Sequence, residues 1–135
     1  MIAIDPGSEH SGYLVVDIHP ESISILEAKG NADNKWILEK IRLKSGVLSI
    51  EQIRGYGIVA GNDTFDTCEW AGRFMEAFER YGGKVVRCPR KDIKKHLCGN
   101  TTCRDTYSVF RRFFVATFCM IENSLPPSAA APGNP

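Results

Sequence analysis

The chain has 135 residues, 43% of them hydrophobic and 24% charged, the proportions of one globular domain that buries about two thirds of its unfolded surface without disulfide staples. Its five cysteines are odd in number and match no disulfide framework. The residues after Met1 lack the basic start, apolar stretch and cleavage site of a secretory leader, so reduced thiols in a cytoplasm are expected. The longest apolar run, Phe113 to Ile121, falls well short of the roughly 20 residues a membrane span needs, and no membrane partner is expected. Net charge is only +1, but residues 84–112 carry nine Lys or Arg against Asp92 and Asp105, a balance of +7 that leaves −6 for the rest. Such a block is the footprint of phosphate contact, and equally the composition of a solvated helix face.

The chain opens as a β-hairpin, with apolar Ile2 and Ile4, a turn at Asp5-Pro6-Gly7-Ser8, and a return strand from Gly12 to Val16. The alternating stretch Ser22 to Leu26 predicts a third strand. Asn31, Ala32 and Asp33 then open a short helix over Trp36, Ile37, Leu38, Lys40 and Ile41. Val47 to Ile53 predicts another strand. The clearest helix starts at Asp63 or Thr64 and runs to Tyr81, where Gly82-Gly83 stops it. Its polar stripe contains Glu69/Arg73 and Glu76/Arg80 at ion-pair spacing. Two apolar stripes flank it, one with Phe65, Cys68, Ala71, Gly72, Met75 and Phe78, the other with Trp70, Phe74, Ala77 and Tyr81. Together they exceed what one sheet face covers, so a second copy of the chain is expected against this helix. Lys84 to Arg87 reads as a short strand, Pro89 opens a brief basic helix through Leu97, and a last helix starts near Thr102. Residues 1–125 are expected to form the domain, and 126–135, rich in Pro, Ser and Ala, a disordered tail. The order of elements is α/β, with an antiparallel hairpin entering the sheet and helices packed on it.

Three acids stand where chemistry is plausible. Asp5 ends a strand before Pro6 and Gly7, a setting shared by ordinary turn-opening aspartates. Glu51 interrupts an apolar strand, where an ionised group is costly unless it is paired, bound to a cation, or solvent-facing on an edge. Asp105 follows Thr102-Cys103-Arg104 and also fits a helix capping box. Read together, they form a hard-oxygen set suited to Mg²⁺ or Mn²⁺ and to phosphodiester hydrolysis by two ions roughly 4 Å apart. Cys88, His96, Cys98 and Cys103 match no common zinc spacing. His10 lies in the same turn as Asp5 and is read as an exposed loop histidine.

Ile2-Ala3-Ile4-Asp5-Pro6-Gly7-Ser8 followed by Ser11-Gly12-Tyr13 resembles the first hairpin of RuvC-like Holliday junction resolvases, which have a ribonuclease H-like fold. Leu48-Ser49-Ile50-Glu51-Gln52 is similar to that family's fourth strand, and Arg87 to Gly99 looks like the strand and basic helix of its phage members. The resemblance covers about residues 1–107. It implies a ribonuclease H-like mixed sheet and an endonuclease acting on branched DNA, paired as a homodimer. It also implies that Asp5 bridges two metal ions while Glu51 and Asp105 hold one each. Arg90, Lys91, Lys94, Lys95 and Arg104 would contact phosphates. The family supplies a further acid in its last helix. Here only Glu122 follows Asp105, and 17 residues of helix span about 25 Å. Three carboxylates where four are usual imply slow cleavage, and leave as the alternative a non-catalytic nucleic-acid-binding protein of the same fold with an incomplete acidic site. An actin-like ATPase would need a second lobe for which this length leaves no room.

Overall fold

Side-chain alternation in the first strand decides which layer each residue serves. The computed structural model describes residues 1–55, 57 and 59–98. In it β1 (Ile2–Asp5) and β2 (His10–His19) form the expected antiparallel hairpin, with Ile2 opposite Val15 and Ile4 opposite Tyr13. β3 (Ser22–Asp33) lies antiparallel to β2 on its far side. β4 (Val47–Gln52) runs parallel to β1, and β5 (Lys84–Pro89) runs parallel to β4. The five strands are ordered β3-β2-β1-β4-β5 in one mixed sheet.

Parallel neighbours cannot be joined by a tight turn, so helices fill the crossovers. α1 (Asn34–Arg42) connects β3 to β4, and α2 (Asn62–Arg80) connects β4 to β5. Both pack on one face. There Ile2, Ile4, Tyr13, Leu48 and Ile50 meet Ile37 and Ile41 of α1 and Ala71, Phe74, Ala77 and Phe78 of α2, all buried. The opposite face carries Ala3, Leu14 and Val16, with Met1, Ile18 and Ala28 against them. α3 (Arg90–Cys98) follows β5 without a loop. The last helix expected from Thr102 and the tail from Pro126 lie outside the described residues.

Local chemistry explains the helix boundaries. Asp33 accepts from the backbone N–H groups of Lys35 and Trp36, at 2.9 and 3.2 Å, and so caps α1. α2 begins one residue before the expected start. At its other end Gly82 takes φ +83°, a conformation a side chain disfavours. A Cβ on Gly83 would stand 2.3 Å from the Phe78 ring, so the two glycines let the chain double back against the core. Both expected ion pairs, Glu69–Arg73 and Glu76–Arg80, form on the solvent side.

Two expectations are corrected. β3 extends well past Leu26, because pairing to β2 carries it through Glu27 to Asp33 despite weak local propensity. The two apolar stripes of α2 are not two surfaces. The buried set is Ala71, Phe74, Ala77 and Phe78, drawn from both, because one face of a 3.6-residue helix cuts across them. Phe74, fully buried, is core and not a contact for a second copy, whereas Phe65 and Tyr81 are exposed. Glu51 is not on an edge strand, since β4 lies between β1 and β5. No helix among the described residues is long and apolar enough to cross a membrane.

Tyr13 packs edge-on against Trp36 at 5.4 Å, and among the described residues its buried hydroxyl has no hydrogen-bond partner. Burial, with the charge of Glu27 adding to it, pushes the phenol up to about 12. A folded-state value above the unfolded value of about 10 means the neutral form supports folding below pH 10, and this support is lost as pH rises toward 12. Tyr13→Phe is therefore expected to be neutral or stabilising by up to about 1 kcal/mol at pH 7. Its advantage over the parent should grow between pH 10 and 12, as urea denaturation at both pH values will show.

Candidate active site

The parallel pairing of β1 with β4 brings two of the three candidate acids together. Ile4 pairs with Ile50, the last pair of that ladder, and Asp5 and Glu51, each the next residue, follow it at the carboxyl ends of adjacent strands. Paired strands lie about 5 Å apart. Since Ile4 and Ile50 face the helices, alternation turns Asp5 and Glu51 to the opposite face. The carboxyl ends of parallel strands are where open α/β sheets place their ligands.

Glu51 is buried, at 8% exposure, and its carboxylate accepts a 3.3 Å bond from the Arg90 guanidinium. The reason is register. Glu51 pairs with Cys88 and Gln52 with Pro89, so Arg90 leaves β5 just past the rung and within reach of β4. Beside Glu51, buried Ser49 and Cys88 share a 3.3 Å hydrogen bond. Burial raises the Cys88 thiol above its ordinary range, the Ser49 bond opposes that, and the charges of Asp92 and Glu51 add to it.

The turn after Asp5 is held by side chains from two other elements. Gly7 N–H donates to Ser11 Oγ at 3.0 Å, Ser11 Oγ donates to Asn34 Oδ1 at 2.5 Å, and Asn34 Nδ2 donates to the Gly7 carbonyl at 3.0 Å. The Asn34 N–H donates to the Glu9 carbonyl at 3.1 Å. Ser11 and Asn34 are both buried. A Cβ on Gly7 would fall 2.1 Å from the His10 carbonyl oxygen, so only glycine fits this turn. Sequence reasoning missed Asn34, because nothing local marks one polar residue at a helix start as buried. His10 is exposed at the start of β2.

Of the other candidate residues, Lys91 and Lys95 are exposed on α3 and Lys94 is half-buried. Asp105 and Arg104 lie outside the described residues. Among those described, no group of three or more His, Cys, Asp or Glu is placed to hold a metal ion. The carboxylate pair nevertheless fits a hard divalent cation such as Mg²⁺ or Mn²⁺. Its donors are all oxygen, and its buried member already pairs with a positive charge, the Arg90 guanidinium.

No protein-family profile matches the chain, and no curated protein does. Solved structures do. The chain is 15% identical to a structure of Thermus thermophilus RuvC over 91% of this chain and 96% of that one, with a TM-score of 0.61. It is 20% identical to T. thermophilus RuvC in complex with Holliday junction substrate, over 78% of this chain and 73% of that one, with a TM-score of 0.57. The fold is therefore RuvC-like, of the ribonuclease H type, with the antiparallel hairpin at its start.

The Glu51–Arg90 pair has one buried and one half-exposed partner, so its strength should lie between that of surface and fully buried pairs. A double-mutant cycle with Glu51→Gln and Arg90→Met, read by urea denaturation at pH 7, should give a coupling of about 1–2 kcal/mol that falls with salt.

Proposed function

We propose that this protein is a metal-dependent endonuclease acting on branched DNA, in the manner of a Holliday junction resolvase. One observation carries the reading: Asp5 and Glu51 follow the last paired residues, Ile4 and Ile50, at the carboxyl ends of two adjacent parallel strands, and the basic α3 starts beside Glu51. The fold match supports it, since a structure with this fold was solved with a Holliday junction substrate. Asp5, Glu51 and Asp105 would hold Mg²⁺ or Mn²⁺, Asp5 bridging two ions and the others holding one each. The ions would supply an activated water and charge stabilisation at the leaving oxygen. The protein's own part is positional. Lys91, Lys94, Lys95 and Arg104 would bind phosphates and set the register of the substrate, and Arg90 would do so from its place beside Glu51. The similarity of Arg87 to Gly99 to phage resolvases supports a phage-type member. Free thiols at Cys68 and Cys88 suit a reducing, cytoplasmic setting.

A second reading, a non-catalytic binder of branched DNA, is favoured by the acid inventory, because the only acid that follows Asp105 in the sequence is Glu122, 17 residues on. One experiment separates the two: cleavage of a four-way junction, duplex and single strand in Mg²⁺ or Mn²⁺, by the parent and by Asp5→Asn. Slow, metal-dependent, junction-selective nicking that Asp5→Asn abolishes is expected. A missing ion ligand forfeits several kcal/mol of transition-state stabilisation, on the order of a thousandfold in rate or more. Equal near-zero rates with retained junction affinity would establish the binder. In the same assay Lys91→Glu with Lys94→Glu should weaken binding to every sequence and flatten its salt dependence.

We also infer a homodimer. The first turns of α2 expose Phe65, at 63%, and leave Trp70 half-buried, an apolar surface that a second copy would cover. Sedimentation at tens of micromolar should show the dimer and Phe65→Glu should dissociate it. A monomeric parent would remove the proposal.

A further inference from the structure

We propose that Asn34 is the positioning residue that sets the Asp5 carboxylate for metal binding, an inference that rests on the reading of Asp5 as a metal ligand. Asp5 is the last residue of β1, and Pro6, which follows, has no N–H with which to tie the departing chain to the sheet. The next anchor is Gly7. Both of its backbone polar groups are taken by side chains, the N–H by Ser11 Oγ at 3.0 Å and the carbonyl by Asn34 Nδ2 at 3.0 Å. Ser11 and Asn34 are joined at 2.5 Å, which closes a ring of hydrogen bonds through β2, α1 and the turn.

Asn34 alone in this ring belongs to a helix. It is 1% exposed, and its backbone N–H also reaches the Glu9 carbonyl at 3.1 Å, so α1 grips the turn at two points. Its amide must present the oxygen to Ser11 and the nitrogen to Gly7, and no other residue type offers a donor and an acceptor in that arrangement at that length. The packing of α1 against the sheet through Ile37 and Ile41 then fixes where the amide stands. The rigidity of the core thereby reaches the residue two positions after Asp5. Outer contacts of this kind orient metal-binding carboxylates, and their loss typically costs 10- to 100-fold in metal affinity.

The bland reading is that the ring only starts a helix. Asp33 supplies the comparison, since its carboxylate caps α1 through Lys35 and Trp36. The test is Mn²⁺ affinity, by calorimetry or by the spin resonance of free Mn²⁺, on the full chain, with urea midpoints measured alongside. Asn34→Ala is expected to raise the Mn²⁺ Kd about 10-fold or more, while Asp33→Ala lowers the urea midpoint and leaves the Kd at the parent value. Ser11→Ala, which breaks the same ring from β2, should raise the Kd as well and decides the matter should Asn34→Ala not fold. Asp5→Asn is the reference. A parent-like Kd for Asp5→Asn would overturn the metal-ligand reading and this inference with it. A weakened Asp5→Asn beside a parent-like Asn34→Ala, or an equal effect of Asp33→Ala, would overturn this inference alone.

Discussion

β1 is bonded antiparallel to β2 on one side and parallel to β4 on the other, and that mixed pairing is the constraint from which the rest of the molecule follows. The antiparallel side needs only a tight turn, so Asp5 sits immediately before one. The parallel side demands a crossover, which supplies α1, and a second parallel strand demands another, which supplies α2. Both crossover helices lie on the face where Ile2 and Ile4 point. By alternation Asp5 and Glu51 are committed to the opposite face. The layers therefore separate two tasks, a helix-covered core that holds the sheet and a rung of carboxylates outside it.

Placing Glu51 in the middle of a sheet costs desolvation, and Arg90 offsets it. The arrangement has a consequence for the basic segment. Arg90 is paired with the acid, whereas Lys91 and Lys95 are exposed on α3. A segment that reads as one uniform positive run along the chain is thus divided by the fold into an inner residue paired with Glu51 and outer residues exposed on α3.

How much of this was legible in the residues depends on how local each cause is. The hairpin was, because Ile2/Ile4 alternation and Pro6-Gly7 are adjacent signals. So were the extent of α2, fixed by its paired Glu and Arg residues and by Gly82-Gly83, and the hard-oxygen character of Asp5 and Glu51. The full length of β3 was not, since residues such as Lys29, Gly30 and Asn31 have poor strand propensity and are held by β2 alone, across a register shift between Ser11 and Tyr13. Nor was the orientation of α2, where Phe74 turns to the core and Phe65 away from it. Glu51 and Arg90 are 39 residues apart, and Ser11 and Asn34 are 23 apart. Contacts at such separations are decided by the packing of whole elements, and no pattern within a short window encodes them.

The second face of the sheet is graded in a way that bears on the chemistry of the rung. Toward the β2 side it is apolar, through Ala3, Leu14 and Val16, and toward β5 it turns polar through the buried Ser49 and Cys88. Beyond these stand the charges, Glu51 with Arg90. Burial favours the neutral form of the Cys88 thiol, which stands opposite Glu51 on β5. On the proposed reading, a cation beside the buried Glu51 would interact with it through a medium less polarisable than solvent, where each charge pair counts for more. A rung built this way depends on rigid turns. That is a physical reason for tying the Asp5 turn to α1 through a buried amide, where an exposed loop would have sufficed for a site bathed in solvent.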